Sequence, residues 1–236
     1  MSHEFANAFL PALSSTISFI FAFFVLRRWW FGRRTYSLFW GIGMLFYAIG
    51  GAMEALYGFF GWHPLVFRLW YLFGAILVAA WLGQGTMFLL VRKRWAYWLF
   101  YILLAASIYA AYKVFTAELD PALMISGELS GHAIVTPGVR ILTPFFNLYG
   151  VITLVGGAIY SAWIFWRKRV LIHRVAGNIF IAVGALMPAF GGGLQRFGVP
   201  YILYLSELLG AVLMFIGFLY ATQAIAYGLR ASRQPA

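Results

Sequence analysis

Phe67–Val91 reads FRLWYLFGAILVAAWLGQGTMFLLV, and the four residues that follow, Arg92–Trp95, read RKRW. After Arg68 the run carries no charged side chain until Arg92. A hydrocarbon core about 30 Å thick takes about 20 residues of apolar helix. In lipid, a helix satisfies its backbone hydrogen bonds within a single segment. The stretch is therefore expected to cross a bilayer and to end in basic and aromatic side chains suited to the headgroup layer.

Six further runs have the same character. With Phe67–Val91 as the third, the spans are Ala6–Leu26, Tyr36–Phe59, Phe67–Val91, Ala96–Phe115, Ile141–Trp166, Val175–Gly193 and Pro200–Ala224. The expected fold is an all-α integral membrane protein, a seven-transmembrane helix bundle forming a single transmembrane domain over residues 1–236. The longest segment between spans, Thr116–Arg140, has 25 residues and reads as a solvated loop too short for an appended catalytic module.

The chain is 64% hydrophobic and 10% charged, against about 25% charged in soluble domains. Its net charge of +11 is unevenly placed. Arg27, Arg28, Arg33 and Arg34, then Arg92, Lys93 and Arg94, then Arg167, Lys168, Arg169 and Arg174, and finally Arg230 and Arg233 make 13 of the 17 Lys and Arg residues. All fall at alternate junctions, hence on one side. The other side has Arg68, Lys113, Arg140 and Arg196. Basic loops stay in the cytoplasm, which predicts an outside N-terminus and a cytoplasmic C-terminus. The expected partners are the bilayer, with anionic lipids at the cytoplasmic face, and a membrane-protein partner or second copy, but no nucleic acid. The expected location is a prokaryotic plasma membrane, crossed several times. Trp29, Trp30, Trp62, Trp95, Trp163 and Trp166 lie near span ends as an aromatic belt, whereas Trp40, Trp70 and Trp81 lie deeper and are candidates for lining a pocket.

The chain also reads as a duplicated three-helix unit. Ala48–Ala55, AIGGAMEA, parallels Ala182–Ala189, AVGALMPA, and Phe73–Val78, FGAILV, parallels Leu209–Met214, LGAVLM. The basic junction Arg27–Arg34 parallels Arg167–Arg174. Spans 1–3 then match spans 5–7, with span 4 the odd helix that preserves orientation; the alternative is chance likeness among Gly- and Ala-rich segments. Parallel repeats of this kind occur in transporters, with binding near the repeat interface. The 3+1+3 arrangement resembles the class of the SWEET transporters and KDEL receptors, without the Pro-Gln pairs of related PQ-loop proteins. WLGQGTMFLL (Trp81–Leu90) and ALMPAFGG (Ala185–Gly192) are similar to segments of uncharacterised prokaryotic seven-transmembrane proteins.

Ionisable groups at membrane depth are costly and need partners, so they are the candidate site. Glu207 lies about 10 Å below Pro200, at 1.5 Å of helix per residue. Glu54 lies in the outer part of span 2. Arg68 and Arg196 sit at the outer ends of spans 3 and 6 and belong to the same candidate site; Glu207 is expected to bind a proton, a cation or a polar ligand group, and Arg68 and Glu54 to gate or balance that charge. Gln84, Trp70 and Trp81 are expected to line the pocket. The structural alternative is an ion pair, or a neutral Glu207, that fixes helix packing.

Several classes lack their chemistry here. With no cysteine there is no thiolate metal site, disulfide or cysteine nucleophile. Span 7 has no lysine for a retinal Schiff base. His3, His63, His132 and His173 lie in tails or junctions rather than in haem-ligating positions. P-loop, HExxH and GxSxG motifs are missing. A metal at Glu118, Asp120, Glu128 and His132 is outweighed by an ordinary solvated loop. No cofactor is implied and enzyme activity is not expected. The expected function is binding or transport of a small molecule or ion through an outward-facing polar pocket between the repeats; the alternative is a non-catalytic subunit or sensor-like module of a larger membrane assembly.

Overall fold

The structure, a computed structural model, describes residues 2–124, 129–169, 172–195, 197 and 201–231, with side chains described within residues 7–222. Among these residues, seven helices are long and apolar enough to cross a membrane. They are α1 (Ser2–Gly32), α2 (Thr35–Phe60), α3 (Pro64–Leu90), α4 (Lys93–Thr116), α5 (Leu142–Arg167), α6 (Ile172–Gln195) and α7 (Ile202–Ala231). These are the seven expected spans, and the chain fits a multi-pass integral membrane protein. The helices run past the apolar stretches because interfacial residues continue the backbone ladder: α1 extends through Arg27–Trp30 and α4 starts at Lys93. Local chemistry sets the α2–α3 corner. Gly61 adopts φ +80° and donates its N–H to Tyr57 O, closing α2. His63 Nδ1 accepts the Leu65 N–H at 3.2 Å, and Pro64 opens α3, where its missing N–H costs nothing.

Six helices form a closed ring in the order α1, α2, α3, α5, α6, α7, with α7 returning to α1, while α4 packs outside against α3. Small residues set the contacts. A Cβ on Gly50 would lie 2.8 Å from the Gly74 Cα, so α2 and α3 touch backbone to backbone. The α6–α7 seam is tighter still. Gly177, Gly184 and Gly191 recur every seven residues on α6 and face Gly217, Gly210 and Ser206 of the antiparallel α7. A Cβ on Gly184 would lie 2.8 Å from Gly210 O, and one on Gly217 would lie 2.6 Å from Gly177 O. In lipid, such close approach provides the dispersion contacts that the hydrophobic effect does not. Gly192 and Gly193, next to Gly191, meet little or nothing.

Two helices change winding. α3 is π-helical over Trp70–Leu77, and α5 over Val151–Val155. A π segment shifts the side-chain phase within a helix and recurs at functional sites.

The segment between α4 and α5 differs from the solvated loop expected. Ala117, Leu129, Ala133, Ile134 and Val139 are buried in one cluster with Phe67, Trp70 and Tyr71 of α3. A lone bridge pairs Leu119 with Ile134, and Tyr71 Oη hydrogen-bonds Thr143 Oγ1 at 2.8 Å. The segment forms an apolar cap on the end of α3, because its alternating small and branched residues match the aromatic surface there.

Candidate functional site

The two acids nominated from depth alone meet. Glu54 sits six residues from the end of α2, and Glu207 five residues into α7, each about 8–9 Å along its helix. Their carboxyls lie close to each other. Trp70 Nε1–H donates to Glu54 Oε1 at 2.6 Å, and Tyr47 Oη donates to the Glu207 carbonyl at 2.8 Å. Glu54 is 3% exposed and Glu207 is half-buried. On the ring, α1 packs between α2 and α7, so the Tyr47 bond and the approach of the two acids both cross the ring interior. Trp70 is the first residue of the π segment, whose wider turn aims the indole at α2 beside the close Gly50–Gly74 contact.

Two ionised carboxylates offer no donor to each other. A proton held by one of the two would let them bond and would remove their mutual repulsion. This is the principal chemical content of the site: two neighbouring acids, and an indole N–H fixing one carboxyl oxygen.

α1 adds groups missed from the sequence. Phe21 stacks on Phe215 at 5.0 Å and packs on Phe218 at 5.4 Å. This register puts Ser14 level with Leu208, within a turn of Glu207, and Ser18 one turn deeper. Both serines share the heptad face of Phe21 and are buried, and their Oγ atoms have no hydrogen-bond partner. The available signal was the spacing Asn7, Pro11, Ser14, Ser18, which sets small and polar residues on one stripe of an otherwise apolar helix.

The other nominated residues lie elsewhere. Arg68 donates to Val114 O and, at 2.8 Å, to Ala117 O, where it caps the last turn of α4 instead of balancing the acids. Gln84, fully buried, bonds Ala96 O at 2.8 Å through Nε2 and receives Tyr149 Oη at 2.6 Å through Oε1, tying α3 to α4 and α5. Trp81 donates to Ser107 Oγ at 3.1 Å and stacks on Phe39. Arg196 lies outside the described residues, as does Glu128 of the expected loop acids. Asp120 caps Ala122 N–H and Ser130 meets His132, and no group of three His, Cys, Asp or Glu forms a metal-binding set among the described residues.

Below the acids the ring axis is apolar. A cavity of about 10 Å³ is lined by Phe21, Trp40, Met44, Leu82, Leu154, Ile181 and Met214, drawn from all six ring helices. That is room for about one water, and its apolar walls offer a water no partners. Trp40 thus lines a closed centre instead of an open pocket.

The Gln84 network gives a prediction independent of the acids. Tyr149→Phe should lower stability by about 0.5–1.5 kcal/mol, the worth of one buried hydrogen bond, and leave ligand binding unchanged. Thermal unfolding in detergent, followed with the binding assay below, checks both parts.

Compared with protein families, curated proteins and solved structures, the chain matches none. Fold and site together define its class: among the described residues, an all-α chain with seven helices long and apolar enough to cross a membrane, six in a ring and one outside, with two acids paired inside.

Proposed function

We propose that the protein is a carrier that binds a proton or a small cation from outside the cell at Glu54 and Glu207. The observation that carries this reading is the close pair of carboxyls across the ring interior, and in this reading that pair holds one shared proton. Loss of its proton leaves two negative charges in a poorly hydrated place, which is unfavourable until a cation replaces it. The pair thus exchanges protons for cations. Ser14, Ser18 and Tyr47 add oxygen ligands along the same half of the axis, and Trp70 holds Glu54 in place. Excess arginine at alternate junctions supports an outside N-terminus and a prokaryotic plasma membrane, with the acids in the outer half and the apolar centre closing the cytoplasmic half. Reporter fusions after Arg34, Arg94 and Arg169 should read cytoplasm, and one within Ser126–Thr136 exterior; an external reading at the first three would reverse the orientation.

Movement of one half-ring against the other supplies alternating access. The ring order α1, α2, α3, α5, α6, α7 agrees with two parallel three-helix units. The π segments in α3 and α5 do not correspond under that pairing, so any duplication has diverged at the site. A second reading rests on the closed centre: the acids bind a cation without passing it on, as in a sensor-like subunit. Proteoliposomes with a trapped pH dye separate the two. A gradient of Na⁺, K⁺ or a small organic ammonium should drive saturable proton counterflow in a carrier. Proton release on the binding side without counterflow would favour the subunit, and no response to any cation would remove both.

A further inference from the structure

A second concavity lies between α3, α4 and α5, on the outside of the ring. It has a volume of about 230 Å³ and is lined only by apolar surface. Ala80 of α3, Leu99, Leu103 and Ala106 of α4, and Phe146 and Tyr149 of α5 form its walls. It opens sideways, because Ile102 and Phe145 at its lip are 65% and 66% exposed. The cleft exists because α4 packs on α3 and stands away from α5. Its shape is fixed: the Tyr149 hydroxyl is tied to Gln84, and Gln84 to the backbone of α4.

A basic cluster lies beyond the Leu99 end of the groove. Leu99 lies five residues beyond Arg94, about 8 Å along α4, and Leu99 to Ala106 spans about 10 Å more. Arg92, Lys93 and Arg94 are exposed at the start of the helix. Trp95 and Trp98, also exposed, lie between them and the groove at the depth of the headgroup boundary. None of the six acidic residues of the chain lies in the three basic junctions, so no carboxylate of this side competes for the cluster. A molecule fitting both parts has an apolar chain at least about 10 Å long and an anionic head at one end.

We propose that an anionic phospholipid of the arginine-rich leaflet binds here, with one acyl chain in the groove between α3, α4 and α5 and its phosphate on Arg92, Lys93 and Arg94. The lipid replaces the missing α4–α5 contact. The site does not depend on the acid pair, and its test reads lipid retention, so its failure leaves the carrier reading untouched.

The test is native mass spectrometry of the purified full chain, delipidated in detergent and titrated with phosphatidylglycerol or with phosphatidylcholine of the same chains. Wild type should retain one phosphatidylglycerol, at least about tenfold more tightly than phosphatidylcholine, as three cations near one phosphate imply. The variant with Arg92, Lys93 and Arg94 all changed to Ala should lose that preference. Ala106→Phe, which fills the groove, should lose retention, and Ala106→Leu should weaken it, while Ala105→Phe on the exposed face of α4 should retain the lipid. Thermal unfolding of each variant confirms that it is folded. Equal retention of both lipids by wild type would overturn the proposal. So would phosphatidylglycerol retention that survives both the triple change and Ala106→Phe in folded protein, or a dimer lost on Ala106→Phe, which would show a second copy filling the groove.

Discussion

Glu54→Gln and Glu207→Gln should each reduce cation-driven proton counterflow at least tenfold and flatten its pH dependence, while the protein still folds. Glutamine keeps the shape of glutamate and most of its hydrogen bonding. At position 54 its carbonyl oxygen still accepts the Trp70 N–H, whose present distance is 2.6 Å, and its amide donates to Glu207. What is lost is the exchangeable proton and one of two charges that hold a cation. A transition-state or binding contribution of about 1.4 kcal/mol corresponds to tenfold, and charged hydrogen bonds are worth about 1.5–3 kcal/mol. The thermal midpoint in detergent should move by only a few degrees. The opposite pattern, intact counterflow with a large fall in stability, would show that the acids only clamp α2 to α7.

The largest stability effect belongs to the α6–α7 seam. Gly184→Leu should cost about 3 kcal/mol or more, enough to lower the unfolding midpoint by roughly 6–12 °C or to prevent accumulation of folded protein. The reason is backbone contact: the added Cβ would meet Gly210 O and Met214 N, each at 2.8 Å, and neither is the flexible end of a side chain. The helices would have to separate, which would displace Glu207, one turn from Gly210. Gly156→Leu is the matched control, since nothing lies within 4 Å of a Cβ there. Equal effects of the two substitutions, measured by thermal unfolding and by retention in mild detergent, would show that the seam is not closely packed at Gly184.

Much of this architecture is legible in the sequence because lipid imposes a strong constraint on length and polarity. All seven spans follow from it. Helix phase is less legible. Depth placed Glu54, Glu207 and Arg68 in the same half of the molecule and invited an acid–base pairing. It does not say which way each side chain points. The other acid turned out to be the partner of Glu207, while Arg68 turns to the last carbonyls of α4. Trp70 was nominated by its depth in the span alone, and Glu54 supplies the acceptor that a buried indole needs. Gln84 and Trp81 satisfied the same rule away from the acids. Ser14 and Ser18 stayed hidden because a serine costs little in a helix and blends into an apolar run. The π turn at Trp70 leaves no mark in composition, and Gly177, Gly184, Gly210 and Gly217 are recognisable only once the seven-residue spacing on both helices is set side by side.

The shared proton is open to direct measurement. Infrared spectra of the reconstituted protein at neutral pH, recorded in H₂O and D₂O, report protonated carboxyl groups through a carbonyl band that shifts on deuteration. The expected result is one such band in wild type that Glu54→Gln and Glu207→Gln each remove or displace, and that saturating cation diminishes. A wild-type spectrum with no protonated carboxyl, or a band that both variants leave unchanged, would contradict a proton held between Glu54 and Glu207.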